Sequence, residues 1–502
     1  MRVLLDTNIL IHRESRTVVR DDIGRLFRWL DQLNYKKIIH PNSVSEIERH
    51  SDPKVVYTFH RKLSSYRMLK TTAPDTQGIA SLREGDKTEN DRIDTSMLAE
   101  LASDRVDLLI TEDRGIHSKA TIIGLDSRVF TIDGFLEKVT AENPKLAEYG
   151  VLSVKTKLFG HIDVQQRFFD SFREDYPNFD GWFNRKADET AYVCQSDSGE
   201  IVAFLYIKRE QEGEDYSDII PPFQSDQRLK IGTLKVVSNG YKLGERFLKI
   251  VFDNALLLRV SEIYVTVFNK TADQFRLIRF LEDWGFILYG SKGNSQECVY
   301  VRDFRPRFDT SDPRKTYPYI SNSTRAFIVP IYPKYHTELL PDSILQTESP
   351  QDYSDNKPNR NAISKVYVSR SVERDLSTGD IIVFYRTKWG GPAFYTSVAT
   401  TIGIVQDVKT TIPHEKAFLE ICRKRSVFTD AQLLEQWNYD PSNRPFTVNF
   451  LSVYSLPKRP NLKELMEEGV INEAPRGFEQ LSARSFQRLL TISNADTHFV
   501  VA

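Results

Sequence analysis

The sequence predicts a multidomain chain of α/β and α+β units, and three observations carry that prediction. The chain has 502 residues, enough for two to four domains. Its first apolar run, Val3 to Leu5, ends directly in a carboxylate at Asp6, and parallel α/β sheets bind ligands outside such strand ends. Farther along, strands alternating with helical periodicity give way to short strands rich in β-branched residues and separated by Gly turns.

Composition narrows the class. Hydrophobic residues at 40% and charged residues at 27% fit a soluble globular protein. The net charge of -1 exerts no global pull on a polyanion, so any nucleic-acid site must be a local patch. Cys194, Cys298 and Cys422 lie far apart, without metal-ligand or disulfide spacing, and are expected to be reduced thiols of a cytoplasmic protein. No apolar run approaches a membrane span, so no membrane contact is expected. Asp6 interrupts the N-terminal apolar stretch, which argues against a signal peptide.

Residues 1–148 read as one α/β unit. After the first strand, Ile23, Leu26, Phe27, Leu30 and Leu33 recur at helical spacing, and Lys37 to His40 forms a strand. PNSVSEIERH starts a helix with Glu46 in its first turn. The basic, polar segment from Arg61 to Glu89 is expected to be mobile or irregular. NDRIDTSMLAELA is a helix with Ile93, Met97, Leu98 and Leu101 inward and Asp91 and Asp94 near its start. VDLLITEDRG is a strand ending in Thr111, Glu112 and Asp113, and RVFTIDGFLEKV closes the unit as strand, turn and helix.

Four carboxylates, Asp6, Glu46, Asp94 and Asp113, thus stand at strand ends or helix starts, where a parallel sheet gathers them at one edge. Clustered acids repel, and a hard divalent cation with oxygen ligands relieves them. Such an ion suits phosphodiester hydrolysis, because it activates water and neutralises charge on the scissile phosphate. Each acid also has an ordinary explanation. Ser43 and Glu46 make an S-x-x-E capping box, Asp91 and Asp94 favour the helix dipole, and Asp113 before Arg114 and Gly115 suits a turn. Taken jointly, DTNILI, SVSEIE, DTSMLAELA and LLITEDRG occur in the order and spacing of PIN domains, and this third of the chain resembles that nuclease family. The resemblance implies Asp6, Glu46, Asp94 and Asp113 as the catalytic ligands of Mg²⁺ or Mn²⁺. Asn8 and Thr111 would orient them from behind, and Asp91 is the rival of Asp94 for the same place. PIN sites are often shared across dimers, so a homo-oligomer fits.

Residues 149–305 read as a mixed-sheet unit. EIVAFLYIKRE is a strand. LKIGTLKVVSNGYKLGERFLKIVFDNALLL is a strand, a Gly-containing loop and an amphipathic helix. SEIYVTVFNKTADQFRLIRFLEDWGFILYG is a strand and a helix, and ECVYVRDF is a final strand. A strand feeding a Gly-bearing loop at a helix N-terminus can cradle a pyrophosphate; the alternative is an ordinary strand-helix turn. Together these blocks resemble the GNAT acyltransferase fold. The resemblance implies acetyl-CoA against the backbone of Val236, Val237, Asn239, Gly240, Tyr241, Lys242, Leu243 and Gly244, with Asn269 near the pantetheine arm. Two positions depart from the family pattern. Lys242 stands where the loop has its middle glycine, and Leu281 stands where a tyrosine often serves as general acid; leucine has no proton to give.

FRPRFDTSDPRKTYPY, which starts at Phe304, runs into residues 306–325, a linker rich in Pro and charge. Residues 326–502 are expected to form a small mixed β-barrel with added helices. GDIIVFYR, the loop KWGGPAFYT and TIGIVQDV follow the order of the ASCH/PUA-like superfamily, which this third resembles and whose barrels tend to bind RNA or modified bases. Tyr385, Arg386, Lys388 and Trp389, with Phe384, Phe394 and Tyr395, offer stacking planes beside cations. Arg423, Lys424 and Arg425 offer a basic cluster for phosphate. The alternatives are barrel core for the aromatics and a solvated helix face for the cluster.

The whole therefore reads as a PIN-like, a GNAT-like and an ASCH/PUA-like domain. The expected activity is a metal-dependent nuclease acting on RNA or other single-stranded nucleic acid, with the C-terminal domain presenting it. A toxin-antitoxin setting, with a protein inhibitor or antitoxin as partner, fits such a fusion by domain content. The alternatives are an acetyl-CoA-dependent N-acyltransferase and a non-catalytic RNA-binding protein.

Overall fold

The computed structural model describes every residue except 15–20, 50–52, 143–153, 197, 211–212, 225, 238–241, 294–296, 344–357, 389–392 and 502. The fold class is α/β and α+β multidomain, built as two compact units, Met1–Glu148 and Tyr149–Ala502.

In the first unit the described residues form a five-stranded sheet. Its strands are β1 (Arg2–Leu5), β2 (Lys36–Ile39), β3 (Arg67–Met68), β4 (Leu108–Ile110) and β5 (Val129–Phe130), in the order β3-β2-β1-β4-β5. Every pairing is parallel. A parallel sheet is covered on both faces, so its strands are apolar throughout. Val3 and Leu5 pack into one cluster with Ile110, and Leu4 packs into another with Ile38 and Leu109. The carboxyl ends of β1 and β4 then deliver Asp6 and Thr111 to the same edge. Pairing continues one step past the strands, with Asp6 N donating to Ile110 O at 3.1 Å.

Residues 61–89, expected to be irregular, are ordered in part. The helix Pro53–Lys62 runs into them, β3 pairs with β2, and the helix Gln77–Glu84 buries Ile79 and Leu82. Two apolar residues three apart suffice to dock one short helix. A two-residue strand that depends on its neighbour leaves no periodic signal.

The second unit holds an eight-stranded sheet of β6 (Val154–Leu158), β7 (Thr190–Gln195), β8 (Ile201–Arg209), β9 (Ile219–Ile220), β10 (Arg228–Val236), β11 (Glu262–Val267), β12 (Ile287–Lys292) and β13 (Glu297–Asp303). The order is β6-β7-β8-β10-β11-β13-β12-β9. β10 and β11 are parallel, connected through the helix Leu243–Leu258, and the other pairings are antiparallel. That helix buries Leu243, Phe247, Leu248, Val251, Phe252 and Ala255, on a face with the i, i+4, i+8 spacing of an amphipathic helix.

The remaining strands are β14 (Ile320–Ser321), β15 (Ala326–Ile331), β16 (Ser364–Ser369), β17 (Ile381–Arg386), β18 (Val398–Lys409), β19 (Phe446–Ser455), β20 (Glu479–Leu481) and β21 (Val500–Val501). β14 pairs with β21, and the other six form a sheet in the order β16-β19-β18-β17-β15-β20. Among the described residues its end strands β16 and β20 do not pair, so the expected small barrel is a half-barrel.

Within residues 306–325, expected as a linker, Pro313 and the run 316–321 are buried. Tyr317 and Ile320 are 0% exposed. Tyr317 Oη donates to Ser452 O at 2.8 Å, and Tyr319 Oη donates to Phe304 O at 2.6 Å. Alternate aromatic and aliphatic residues pin the chain here despite its prolines and charges. One apolar core results, running from Ile231 and Phe247 through Tyr317 to Ile328, Val383 and Ile402. Among the described residues no helix is long and apolar enough to cross a membrane.

Candidate functional site

Asp6 is the most constrained of the predicted acids. It ends β1 and is only 6% exposed. Its Oδ2 accepts from Thr111 Oγ1 at 2.7 Å, and the Thr111 oxygen in turn accepts from Asp113 N at 3.0 Å. One hydroxyl therefore fixes two acids from adjacent elements. Burial pushes the Asp6 carboxyl up to about 6; Thr111 and the Thr7 amide oppose the rise, and the charges of Asp113 and Glu46 add to it.

Asp94 lies in the helix Glu89–Ala102 and is half-buried. Burial, then the charges of Asp113 and Asp6, push it up to about 7, and Lys119 opposes them. Its rival Asp91 has another task. Thr88 is the N-cap, its hydroxyl accepting from Asp91 N while Asp91 Oδ2 accepts from Thr88 N at 2.8 Å. Asp91 thus closes a reciprocal cap and is held below the usual carboxylate range by those hydrogen bonds. Asp91, expected beside the ligands as the rival of Asp94, is a helix cap, and Asp94 is the acid on which the charge of Asp6 acts.

Asp113 also caps, its Oδ1 accepting from Gly115 N at 2.6 Å and Ile116 N at 3.2 Å. It is exposed, and its charge acts on both Asp6 and Asp94. Glu46 is half-buried in the helix Pro41–Glu48. That helix starts at His40, whose Nδ1 accepts from Asn42 N at 3.2 Å, with Pro41 in its first turn. The expected Ser43–Glu46 capping box is therefore absent; Ser43 is buried, and Glu46 lies one turn farther in. Asn8 is exposed on the helix Thr7–Glu14. The sequence reading missed Lys119, whose Nζ donates to Asp86 Oδ1 at 2.7 Å, Asp91 O at 2.8 Å and Thr95 Oγ1 at 3.0 Å. No local pattern marks it, because its partners lie on the helix Glu89–Ala102 and in the loop before it.

Among the described residues no three His, Cys, Asp or Glu side chains are gathered closely enough to hold a metal ion as they stand. The donor chemistry nevertheless fits a divalent cation. The acids are hard oxygen donors, and two of them, Asp6 and Asp94, are raised to about 6 and about 7 by burial and by neighbouring carboxylates. A cation among them would remove that cost.

In the second unit Val236 ends β10, and Val237 N donates to Val202 O at 2.9 Å. Asn239, Gly240 and Tyr241 lie outside the described residues. Lys242 takes the left-handed conformation (φ 59°) at the start of the helix Leu243–Leu258, so lysine adopts a backbone that favours glycine. Gly244 faces the Phe280 ring, and an added Cβ would come within 3.2 Å of it. Leu281 is fully buried in the core, and Asn269 is exposed beyond β11. The first turn of the helix carries a buried carboxylate, Glu245. Its Oε2 accepts from Ile363 N and Ser364 N, each at 3.0 Å, and Arg425 Nη1 lies 3.4 Å from Oε1. Nearby, Arg246 pairs with Asp342 at 2.9 Å and Lys249 with Asp253 at 2.8 Å.

The predicted nucleic-acid residues divide. Tyr385 and Arg386 are 2% and 3% exposed in β17, and Phe384 is 0% exposed. β17 is an inner strand covered on both faces, so none of these can stack on a base. Arg423 makes a two-point pair with Asp430 at 2.9 and 2.6 Å, and Arg425 donates to Ser364 O at 2.8 Å. These two arginines are structural clamps rather than a phosphate patch. Lys424 is half-buried in a left-handed conformation, φ 63°. Lys388 is exposed, and Trp389 lies outside the described residues. Phe394 and Tyr395 are exposed, and with Lys463, Met466 and Glu467 they line a cavity of about 560 Å³.

No family model matches the sequence, and no curated protein matches it. Solved structures are similar over parts of the chain. An ASCH protein of Zymomonas mobilis is 10% identical over 33% of this chain and 94% of its own, with a TM-score of 0.25. A putative acetyltransferase of Exiguobacterium sp. 255-15 is 15% identical over 30% of this chain and 93% of its own, with a TM-score of 0.22. VapBC2 of Rickettsia felis, solved with a DNA fragment from its promoter, is 15% identical over 26% of this chain and 97% of its own, with a TM-score of 0.20.

Proposed function

We propose that the first unit is a divalent-metal-dependent nuclease acting on RNA. The observation that supports this reading is the elevation of Asp6 and Asp94 near the carboxyl edge of a parallel sheet, both by burial and by the charge of Asp113, with Glu46 adding to Asp6 and Asp6 adding to Asp94. Asp6, Glu46, Asp94 and Asp113 would hold the ion. When bound, Mg²⁺ or Mn²⁺ supplies an activated water and neutralises charge on the phosphodiester. The chain's own part is positioning. Thr111 holds the Asp6 carboxylate and the Asp113 backbone in one arrangement, and the Asp113 cap fixes the helix that follows. Lys119, tied to Asp86 and the Asp91 carbonyl, limits the negative charge that Asp94 feels.

The test is cleavage of labelled single-stranded and structured RNA in Mn²⁺, in Mg²⁺ and in EDTA. Wild type cuts only with metal. Asp94→Asn loses cleavage at least about 100-fold, because a ligand matters no less than the groups that orient it. Asp91→Asn loses about 1 kcal/mol of helix capping and keeps cleaving. Cleavage that persists in EDTA, or that survives Asp94→Asn, rejects the reading.

One observation favours a second reading, an acyl-CoA-dependent acyltransferase in the second unit. Lys242, Arg246, Lys249, Lys365 and Arg425 surround the start of the helix Leu243–Leu258 and outnumber the acids Glu245, Asp253 and Asp342. That surplus of positive charge suits an anionic cofactor, although Glu245 itself occupies the first turn. Saturable acetyl-CoA binding by calorimetry is the expected result of this reading, and no heat at millimolar acetyl-CoA removes it.

A further inference from the structure

Three arginines meet at one end of the six-stranded sheet. Arg370 directly follows β16, Arg444 stands two residues before β19, and Ser369 of β16 pairs with Phe446 of β19. Arg374 reaches the same end from the loop that leads to β17, its Nη1 donating to Thr410 O, just past β18, at 3.4 Å. Asn443 gathers the first two. Its carbonyl accepts from Arg370 Nη1 at 2.6 Å, and its Oδ1 accepts from Arg374 Nη2 at 2.5 Å. Arg374 Nη2 also donates to Arg444 O at 3.1 Å. A turn fixes Asn443 in its place, with Asp440 Oδ1 accepting from Ser442 N at 2.9 Å and Asn443 N at 3.3 Å. Each guanidinium carbon lies over a ring: Arg370 over Tyr439 at 5.2 Å, Arg374 over Phe446 at 4.9 Å and Arg444 over Trp437 at 4.8 Å from the centroid.

Arginine is charged at every working pH. Among the described residues no carboxylate lies within ion-pair distance of these three, and their hydrogen bonds go to backbone carbonyls and the Asn443 amide. Nε and Nη2 of Arg370 are buried without an acceptor. Arg444 donates through Nη1 to Trp437 O, and its Nε–Nη2 edge meets no acceptor among the described residues. The acids of the neighbouring loop are engaged elsewhere. Glu373 accepts from Asp375 N at 2.7 Å, and Asp375 pairs with Arg325 at 3.0 Å. Asp440 is the acid whose charge reaches Arg370. Burial lowers the Arg370 pKa, Asp440 and Tyr439 oppose this, and the charges of Arg444 and Arg374 add to it. Three guanidinium charges against one carboxylate leave positive charge in excess.

We propose that this end of the sheet binds the terminal phosphate of a nucleotide, with the base lying on Tyr439. A terminal phosphate is close to a dianion at neutral pH and matches that excess, whereas a phosphodiester or a carboxylate brings one charge. The Nε–Nη2 edge of Arg444 offers two parallel donors, the geometry that phosphate oxygens accept. Arg370 and Arg374 add charge beside it. Tyr439 is 80% exposed, and a ring with a guanidinium at one face and solvent around the rest is a platform for a base. The nucleotide is either a free mononucleotide or the 5′ end of an RNA. This site is in the second unit and is independent of the nuclease reading.

The test is equilibrium binding by the full-length protein in EDTA. The probes are inorganic phosphate, AMP, adenosine, a phosphoserine peptide, and one RNA oligonucleotide made with a 5′-phosphate and with a 5′-hydroxyl. AMP binds about tenfold more tightly than inorganic phosphate, because stacking adds to charge. Adenosine binds at least about tenfold more weakly than AMP, because it lacks the charged acceptor. A 5′-phosphate that strengthens RNA binding at least about tenfold identifies an RNA end; AMP binding with no such effect on RNA identifies a free nucleotide. Tyr439→Ala, at an exposed position, removes the tenfold advantage of AMP and leaves phosphate binding within about twofold. Arg444→Gln keeps a donor for Trp437 O and weakens phosphate and AMP alike by at least about tenfold. Adenosine or the phosphoserine peptide binding as tightly as AMP, AMP binding unchanged in Tyr439→Ala, or binding that survives Arg444→Gln overturns the proposal.

Discussion

Asp6→Asn protein cleaves RNA at least about 100-fold more slowly than wild type in Mn²⁺, yet it unfolds at a higher temperature than wild type in EDTA at pH 8. The two effects share a cause. The Asp6 carboxyl is raised from 3.8 to about 6 chiefly by burial, so the folded form binds its proton more tightly than the unfolded form. Stability from this group is therefore present at low pH and is lost as pH rises through the interval from about 4 to about 6. At pH 8 the charged carboxylate costs on the order of 3 kcal/mol. Asparagine removes that charge and keeps an oxygen for Thr111 Oγ1, but it offers poorer acceptance to the Thr7 amide. The net gain is about 1–2 kcal/mol. Thermal melts of both proteins at pH 5 and pH 8 in EDTA check it. Wild type gains stability on acidification, and the variant gains less. An asparagine variant that is less stable at pH 8, or that cleaves normally, contradicts the assignment of Asp6.

Glu245→Ala destabilises the second unit by about 3–5 kcal/mol, the usual result of removing one partner from a buried charged pair. The carboxylate accepts two backbone N–H groups, from Ile363 and Ser364, and faces Arg425. Alanine leaves the two N–H groups unmet inside the protein and leaves Arg425 with the Ser364 carbonyl but no counter-charge from Glu245. A urea melt of the second unit's transition measures the loss, and Glu245→Gln recovers part of it by restoring one acceptor. A loss below about 1 kcal/mol would show that water replaces the carboxylate, the cost then falling to that of an ordinary hydrogen bond.

How far the sequence could be read depended on whether partners were local. Asp6 and Asp113 were legible because a short apolar strand followed by an acid is a pattern within six residues. The choice between Asp91 and Asp94 turned on Thr88, a cap that lay just outside the helical run as it was read. Ser43 and Glu46 matched a capping motif, but Pro41 had already started the helix. In β17 the run IIVFYR gave no sign that both of its faces are covered, so Tyr385 and Arg386 looked exposed. Arg425 clamps a carboxylate 180 residues away, which no spacing argument reaches.

The unbroken apolar core between the eight-stranded and six-stranded sheets has a consequence for heredity. Whatever the separate ancestry of those two folds, Tyr317, Tyr319 and Ile320 have made them a single folding unit. Neither half can be exchanged for a homologous cassette without leaving the other with a raw apolar flank. An exchange of modules within residues 149–502 must therefore carry both sheets together, whereas the boundary between the two compact units falls after residue 148.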